Sequence, residues 1–506
     1  MKASNDGLSA ASSQLMRRRR EPRARQSTGP VFLRAPTGVG ALRAATLQHR
    51  LRVAGMCSVP AASDHRRQMF GRTSRPLAAL TQTVETSEAH AMPTAVGRRH
   101  GASFWTVAFA FLVVMACATL PSPLYSLYRT RDDLSTLTVT VVYAVFACGA
   151  IVALLCEPVV VARIGRRRAM LGGVATMMVA AAVIAVWKAL PGLLVGRVLT
   201  GVSVGLAAGT ATTYLIELRL RDDPNASVVR ARTIGTSVNI GALGVGPLVA
   251  GILAEWTSLP LTLPYVLFIG LGALALVGLA AAPETGTPNP HAKASLAVAG
   301  IPGTAAAATI AAFSATGLFA GLSGIFLATT FDRPSHALAG ATLFLVFSSG
   351  VLSQLATGKL RAPRVLALGV TSMLAGVALI VTAVRLSTPS LVLFLVGGAL
   401  IGAGAGLVFK GTTGIVLEAA APEERVAMTS TLIITALFGL SIPVVGAGVA
   451  LSQGVSAAST VLGFGTAVAL GVALSGWALL RRRASGPREN QPRVVVANAV
   501  HPRRCG

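Results

Sequence analysis

Charged and aromatic residues are scarce in this chain. Only 12% of its 506 residues are charged and 5% are aromatic, whereas 53% are hydrophobic, and the mean hydropathy is +0.67. One soluble core cannot bury that much apolar surface, so the composition excludes an ordinary soluble domain and indicates an integral membrane protein. The 53 glycines are also typical of closely packed membrane helices.

Acidic residues and cysteines are few as well. There are 18 Asp and Glu against 44 Lys and Arg, which gives a net charge of +26. The five cysteines have neither paired nor metal-ligand spacing, so we expect no disulfide framework, no metal site and no cofactor. The sequence contains no Walker loop or other enzyme motif, so we expect neither an enzyme nor ATP hydrolysis on this chain.

Long apolar segments follow one another from residue 103 onward. A helix that crosses a bilayer needs about 20 mostly apolar residues. Twelve segments meet this requirement: 104–128, 135–157, 169–187, 190–216, 233–254, 262–282, 303–330, 337–357, 364–384, 388–417, 427–451 and 456–480. The sequence therefore predicts an all-α integral membrane fold with twelve transmembrane helices.

Basic residues concentrate on one side of these spans. The connections after even-numbered spans include RIGRRR (163–168), Arg219, Arg230 and Lys293, whereas those after odd-numbered spans are poorer in Arg and Lys. By the positive-inside rule both termini are cytoplasmic, and we expect a multi-pass protein in a cell membrane, the plasma membrane of a bacterium. Much of the net charge is then an orientation signal, so we expect lipid and not nucleic acid as a partner.

The predicted organisation has five parts. Basic tails, expected to be disordered and cytoplasmic, flank two six-helix halves joined by a cytoplasmic central loop. The parts are 1–102, 103–283, 284–302, 303–481 and 482–506. Met92 begins MPTAVGRRHGASFW, which reads like an ordinary transporter N-terminus. Residues 1–91 are therefore either a natural tail or a mis-assigned start.

An internal repeat relates the two predicted halves. LTGVSVGLAAGTATTYLIEL (199–218) aligns without gaps with LIGAGAGLVFKGTTGIVLEA (400–419), so that Gly201 meets Gly402. The fifth span contains a proline followed by one glycine, and the eleventh contains a proline followed by two. Six spans followed by six related spans predict two pseudo-repeats around a central path, which rock against each other during transport.

The loop PVVVARIGRRR (158–168) resembles the loop after the second span of the major facilitator superfamily. It matches the family pattern at Arg163, Gly165, Arg166 and Arg167. Pro158 and Ala162 stand where the family has Gly and Asp. The resemblance, which covers residues 103 to 481, implies a twelve-span transporter in which this loop takes part in gating, with Glu157 nearby as a replacement for the missing acid.

Two further spans carry the same resemblance. In the fourth, Arg197 is followed at four-residue spacing by Gly201, Gly205 and Gly209, so a neighbouring helix can approach closely. In the fifth, GALGVGPLVAG resembles an antiporter motif whose packing residues are Gly246, Pro247 and Gly251. The resemblance implies a coupling role for Arg197, and we expect its side chain to face the central cavity.

Other charges within the spans leave alternatives open. Lys410 either lines the cavity, where it meets substrate or completes a gate, or extends to the basic side of the membrane. Glu157 and Glu217 are candidates to carry a proton, or else partners of nearby arginines. Tyr125 and Tyr128 suit the membrane interface or an outer vestibule.

The sequence favours a secondary active transporter. We expect it to move a small organic solute by alternating access, as a monomer, in proton-coupled efflux by antiport. An importer or uniporter of a polar or anionic solute is the alternative within this class. A non-transporting membrane sensor is the alternative from another class.

Overall fold

The structure is a computed structural model that describes residues 96–289, 298–421 and 424–484. In these ranges, twelve helices are long and apolar enough to cross a membrane, as the sequence predicts. They are α1 Val96–Thr119, α2 Thr136–Ile164, α3 Arg166–Val186, α4 Leu190–Asp222, α5 Val228–Trp256, α6 Leu263–Ala281, α7 Gly303–Thr329, α8 His336–Ala356, α9 Ala362–Arg385, α10 Leu391–Ala419, α11 Arg425–Ser452 and α12 Ala457–Ala484. Residues 1–95 and 485–506 of the predicted tails, Met92 and Lys293 lie outside the described residues.

The first span is interrupted beyond α1. Pro121 and Pro123 turn the chain into a short 3₁₀ turn, which a short helix, Tyr125–Asp132, follows. Tyr125 and Tyr128 are 3% and 0% exposed. The expectation that these two tyrosines line a vestibule is therefore wrong in this conformation, because both pack into the core, whereas their position at the membrane interface stays a prediction.

The second helix is longer than predicted. It begins after Ser135, whose side chain accepts a hydrogen bond from the backbone N–H of Thr138 at 3.0 Å, and it continues through Pro158 to Ile164. Neighbouring helices can satisfy the backbone group that a proline leaves free in a membrane helix. As a result Glu157 lies about two turns before the end of α2, and not at its end as predicted.

The sequence repeat reappears in the packing of the helices. The helix pair α2 and α4 in the first half, α1–α6, corresponds to the pair α8 and α10 in the second half, α7–α12. A Cβ atom placed on Gly205 of α4 would lie 2.5 Å from the Ala150 carbonyl oxygen of α2. One placed on Gly406 of α10 would lie 2.7 Å from the Gly350 carbonyl oxygen of α8. Both contacts depend on glycine, and Gly205 and Gly406 are related by the same offset as Gly201 and Gly402.

Two helix pairs join the halves, α5 with α8 and α2 with α11. We call the end of the bundle at which α2 and α8 finish the basic end, and the end at which they start the opposite end. At the opposite end, Gly251 of α5 faces the His336 carbonyl of α8, and Gly448 of α11 faces Thr140 of α2. The glycines let these helices approach closely across both contacts.

Candidate functional site

Arg197 is the largest fully buried side chain, with 2% of its surface exposed. Its guanidinium donates to the carbonyl of Ala118 at the end of α1, at 2.6 Å, and to the carbonyl of Tyr143 in α2, at 3.3 Å. It also lies 4.8 Å from the centre of the Phe146 ring. These contacts offset part of the cost of burying the charge, and the buried Nε atom has no hydrogen-bond partner among the described residues. In this conformation Arg197 joins α1 and α2 to α4 and does not line an open cavity, contrary to the expectation from sequence.

The glycines that follow Arg197 lie directly against α2. Gly201 faces the carbonyl of Phe146, and a Cβ atom on Gly209 would lie 2.6 Å from the carboxyl carbon of Glu157. A side chain at either position would push the two helices apart, since the nearest atoms belong to the α2 backbone or to a buried carboxyl group. The stripe is therefore the surface on which α4 packs.

Glu157 is buried beside this stripe, with 9% of its surface exposed. Its Oε1 atom accepts a hydrogen bond from the hydroxyl of Thr210 in α4, at 2.8 Å, and Thr210 is itself fully buried. The sequence offered a nearby arginine as the partner of Glu157. The Arg166 side chain is instead ion-paired with Glu217 at 2.6 Å. Glu157 thus has a hydroxyl partner in place of a charged one.

The predicted gating loop is reduced to one residue. Gly165 separates α2 from α3 and has a φ of +88°, a conformation that glycine adopts without strain. Glu284, which follows α6, accepts from the backbone N–H of Arg166 at 2.8 Å and of Arg167 at 3.1 Å. A carboxylate at this position binds the free N–H groups at the start of α3 and is favoured by the helix dipole. Arg163, also predicted in this loop, is exposed.

Further contacts fasten the PET segment, 283–285, to the first half. Tyr214 donates its hydroxyl to the Pro283 carbonyl at 2.7 Å, and Arg221 donates to the carbonyls of Glu284 and Thr285 at 2.7 and 2.9 Å. Sequence reasoning did not assign Glu284 to the site. Its partners, Arg166 and Arg167, lie more than a hundred positions earlier in the sequence, so no local pattern connects them.

Lys410 of α10 aligns with Gly209 of α4 in the internal repeat, so it lies at the corresponding place in the second half. Its Nζ atom donates to the carbonyl of Gln354 at 2.6 Å and to the hydroxyl of Thr357 at 3.2 Å, both at the end of α8. A cation at a helix C-terminus binds its free carbonyls and is favoured by the helix dipole. In this conformation the side chain holds α8 against α10.

The Gly-Pro motif of α5 lies where three helices meet. Gly246 faces the carbonyl of Ala116 in α1, and the carbonyl of Pro247 faces Gly340 in α8. The hydroxyl of Thr119 donates to the Leu243 carbonyl of α5 at 2.7 Å. The motif therefore packs one helix of the first half against both its own half and the other.

A polar contact links the halves at the opposite end. The Oε2 atom of Glu255, at the end of α5, accepts from the backbone N–H groups of His336 and Ala337 at 2.7 and 3.2 Å. Ser126 and the Nδ1 atom of His336 lie 3.3 Å apart. These bonds hold the start of α8 against the first half.

The arrangement matches known transporters in fold. A variant of the nucleoside transporter NupG is 10% identical to this chain, with a TM-score of 0.59; the match covers 75% of this chain and 99% of that one. A second NupG structure is 12% identical, with a TM-score of 0.57, and the match covers 75% of this chain and 98% of that one. The human organic anion transporter MFSD10 (TETRAN) is 17% identical, with a TM-score of 0.54 over 76% and 100%. A family model described as sugar (and other) transporter matches residues 86–258.

The chain has the fold of the major facilitator superfamily. No curated protein matches its sequence. The twelve apolar helices indicate a multi-pass membrane protein, and the family model describes transporters over residues 86–258. The helix pairs α5 with α8 and α2 with α11 are thus the contacts between the two halves of a major facilitator fold.

Proposed function

We propose that this transporter exports a small organic solute in exchange for entering protons, as a monomer in the plasma membrane of a bacterium. The observation that carries the proposal is the position of Gly246 and Pro247. They resemble an antiporter motif, and they lie where α5 contacts both α1 and α8. Proline removes a backbone hydrogen bond there, so α5 can bend where the halves move against each other.

The distribution of charge supports an orientation with the basic end in the cytoplasm. Arg163, Arg166, Arg167 and Arg168 cluster at the end of α2 and the start of α3. Connections rich in arginine remain on the cytoplasmic side of a membrane. In this orientation the contact of Glu255 with His336 closes the external side, and both termini are cytoplasmic.

The two intramembrane cations argue against the alternative of an importer of anionic solutes. Arg197 and Lys410 both donate to backbone carbonyls of neighbouring helices. The protein itself engages these donor groups in this conformation, while the buried Nε atom of Arg197 has no hydrogen-bond partner among the described residues. The similar proteins are transporters of nucleosides and of organic anions, and the family model names sugars. These classes differ, so the proposal commits only to a small organic solute.

Everted membrane vesicles that contain the protein test this function. The vesicles are acidified inside, a pH-sensitive dye reports the gradient, and uridine, glucose, p-aminohippurate and ethidium are added in turn. Antiport predicts that at least one compound dissipates the gradient, and that vesicles without the protein do not respond. Proton antiport would be contradicted if the vesicles took up solute with the gradient collapsed and no compound dissipated the gradient.

A further inference from the structure

Glu157 differs from every other carboxyl group in the described part of the chain. The others are exposed, paired with a cation or placed at a helix N-terminus. Glu217 pairs with Arg166, for example, whereas Glu284 and Glu255 bind the first N–H groups of α3 and α8. Glu157 alone among these groups is buried with neither a cation bound to it nor a helix N-terminus in front of it. A charge at such a position is costly, and binding one proton removes it.

Thr210 is a partner for either protonation state. A hydroxyl donates to a carboxylate, and it accepts a hydrogen bond from a carboxylic acid. The 2.8 Å contact between the Thr210 hydroxyl and Oε1 of Glu157 can therefore persist when the proton binds or leaves. A fixed arginine or lysine in the same place would hold the carboxyl group in its ionised form.

The second half shows that the fold itself does not require this acid. The sequence repeat aligns Gly209 with Lys410. The contacts of α2 and α8, in which Ala150 corresponds to Gly350, place Thr357 where Glu157 stands. There, α8 and α10 pack as α2 and α4 do, with a hydroxyl and an ammonium group that contact each other. A carboxyl group is present in the first half alone, so its role lies beyond helix packing.

The surroundings of Glu157 contain few other charges. Arg166 of α3 and Glu217 of α4 lie toward the basic end and pair with each other. Of the other helices packed on α2, α7 has no charged residue and α11 has only Arg425, at its start. The charges of the short helix Tyr125–Asp132 belong to the opposite end. Thr213, one turn beyond Thr210 on α4, is exposed.

We infer that Glu157 is the group that carries the coupled proton, with Thr210 as its positioning residue; this rests on the proposed antiport. One proton adds to a carboxylate oxygen of Glu157 in one half of the transport cycle and leaves it in the other half. No other bond forms or breaks. Because proton affinity depends on burial, movement of the halves that admits water to this site links the proton to the conformation.

The first test measures the proton directly, by infrared spectroscopy of the full chain reconstituted in liposomes. The C=O stretch of a protonated carboxyl group is resolved from that of a carboxylate. The inference predicts a protonated-carboxyl band that titrates in the wild-type protein, is lost in Glu157→Gln and is retained in the control Glu418→Gln. Thr210→Val should keep the band but shift its frequency and titration midpoint. A band that is unchanged in Glu157→Gln, or unmoved in Thr210→Val, overturns the inference.

A transport measurement separates this inference from the proposed function. With whichever panel compound the wild-type protein exchanges for protons, Glu157→Gln should lose gradient-driven flux at least tenfold and keep solute exchange at equal pH, which also shows that it is folded. Equal gradient-driven flux in Glu157→Gln and wild type overturns the role of Glu157 and leaves antiport standing. If the wild-type protein takes up solute with the gradient collapsed and no compound changes the gradient, antiport fails, and the infrared titration still decides whether Glu157 binds a proton.

Discussion

Replacement of Arg197 removes the contacts that join α1 and α2 to α4. The side chain donates to the carbonyls of Ala118 and Tyr143 and lies over the ring of Phe146. Hydrogen bonds from charged groups contribute about 1.5–3 kcal/mol each. A desolvated cation–π contact contributes about 2 kcal/mol. Truncation also removes the cost of burying the charge, so we expect Arg197→Ala to lower the free energy of unfolding by about 3 kcal/mol.

Lysine at this position should restore only part of the loss. Arg197→Lys keeps the charge, but an ammonium group lacks the planar fork that reaches two carbonyls on different helices. The assay is thermal unfolding of the purified protein in detergent, together with flux per inserted molecule. The midpoint should fall in the order wild type, Lys, Ala.

Equal unfolding midpoints for wild type and Arg197→Lys would refute this reasoning. They would mean that the position needs a charge and not the two hydrogen bonds seen here. Full flux per molecule in Arg197→Ala would separately end the coupling role that the family resemblance implies for this residue.

Two further changes test the packing of the first half. Gly205→Ala should lower the free energy of unfolding by about 1–3 kcal/mol, because its Cβ would lie 2.5 Å from the Ala150 carbonyl oxygen. The control Gly270→Ala has open space around the new Cβ and should be neutral or stabilising in the same unfolding assay. Glu284→Gln should weaken the start of α3, since the amide lacks the charge that binds the N–H groups of Arg166 and Arg167. Faster backbone hydrogen exchange at 166–168, with α9 unchanged as the internal control, is the expected result, and unchanged exchange would contradict it.

The fold was predictable because its signals are local or periodic. Run length predicts the twelve helices, and the alignment of Gly201 with Gly402 predicts two halves whose glycines make equivalent contacts. The limits of α2 were not predictable in the same way. Pro158 reads as the end of a helix, yet a tightly packed membrane helix can continue through proline.

The candidate site was only partly predictable, since charge partners come from distant parts of the chain. Sequence identified Arg197, Lys410 and Glu157 as unusual. It did not show that backbone carbonyls bind the two cations, or that Thr210 binds the acid. These contacts depend on how α1, α2, α4, α8 and α10 pack, which a single sequence pattern does not specify.

Alternating access is the central claim, and one cross-link tests it most directly. Ser126 and His336 lie 3.3 Å apart between the two halves at the opposite end. In a chain whose native cysteines are replaced, Ser126→Cys with His336→Cys should form a disulfide on oxidation. Gradient dissipation by the exchanged panel compound should then stop, return on reduction and continue in either single variant. Undiminished dissipation with the disulfide fully formed would contradict the claim that this end must open during transport.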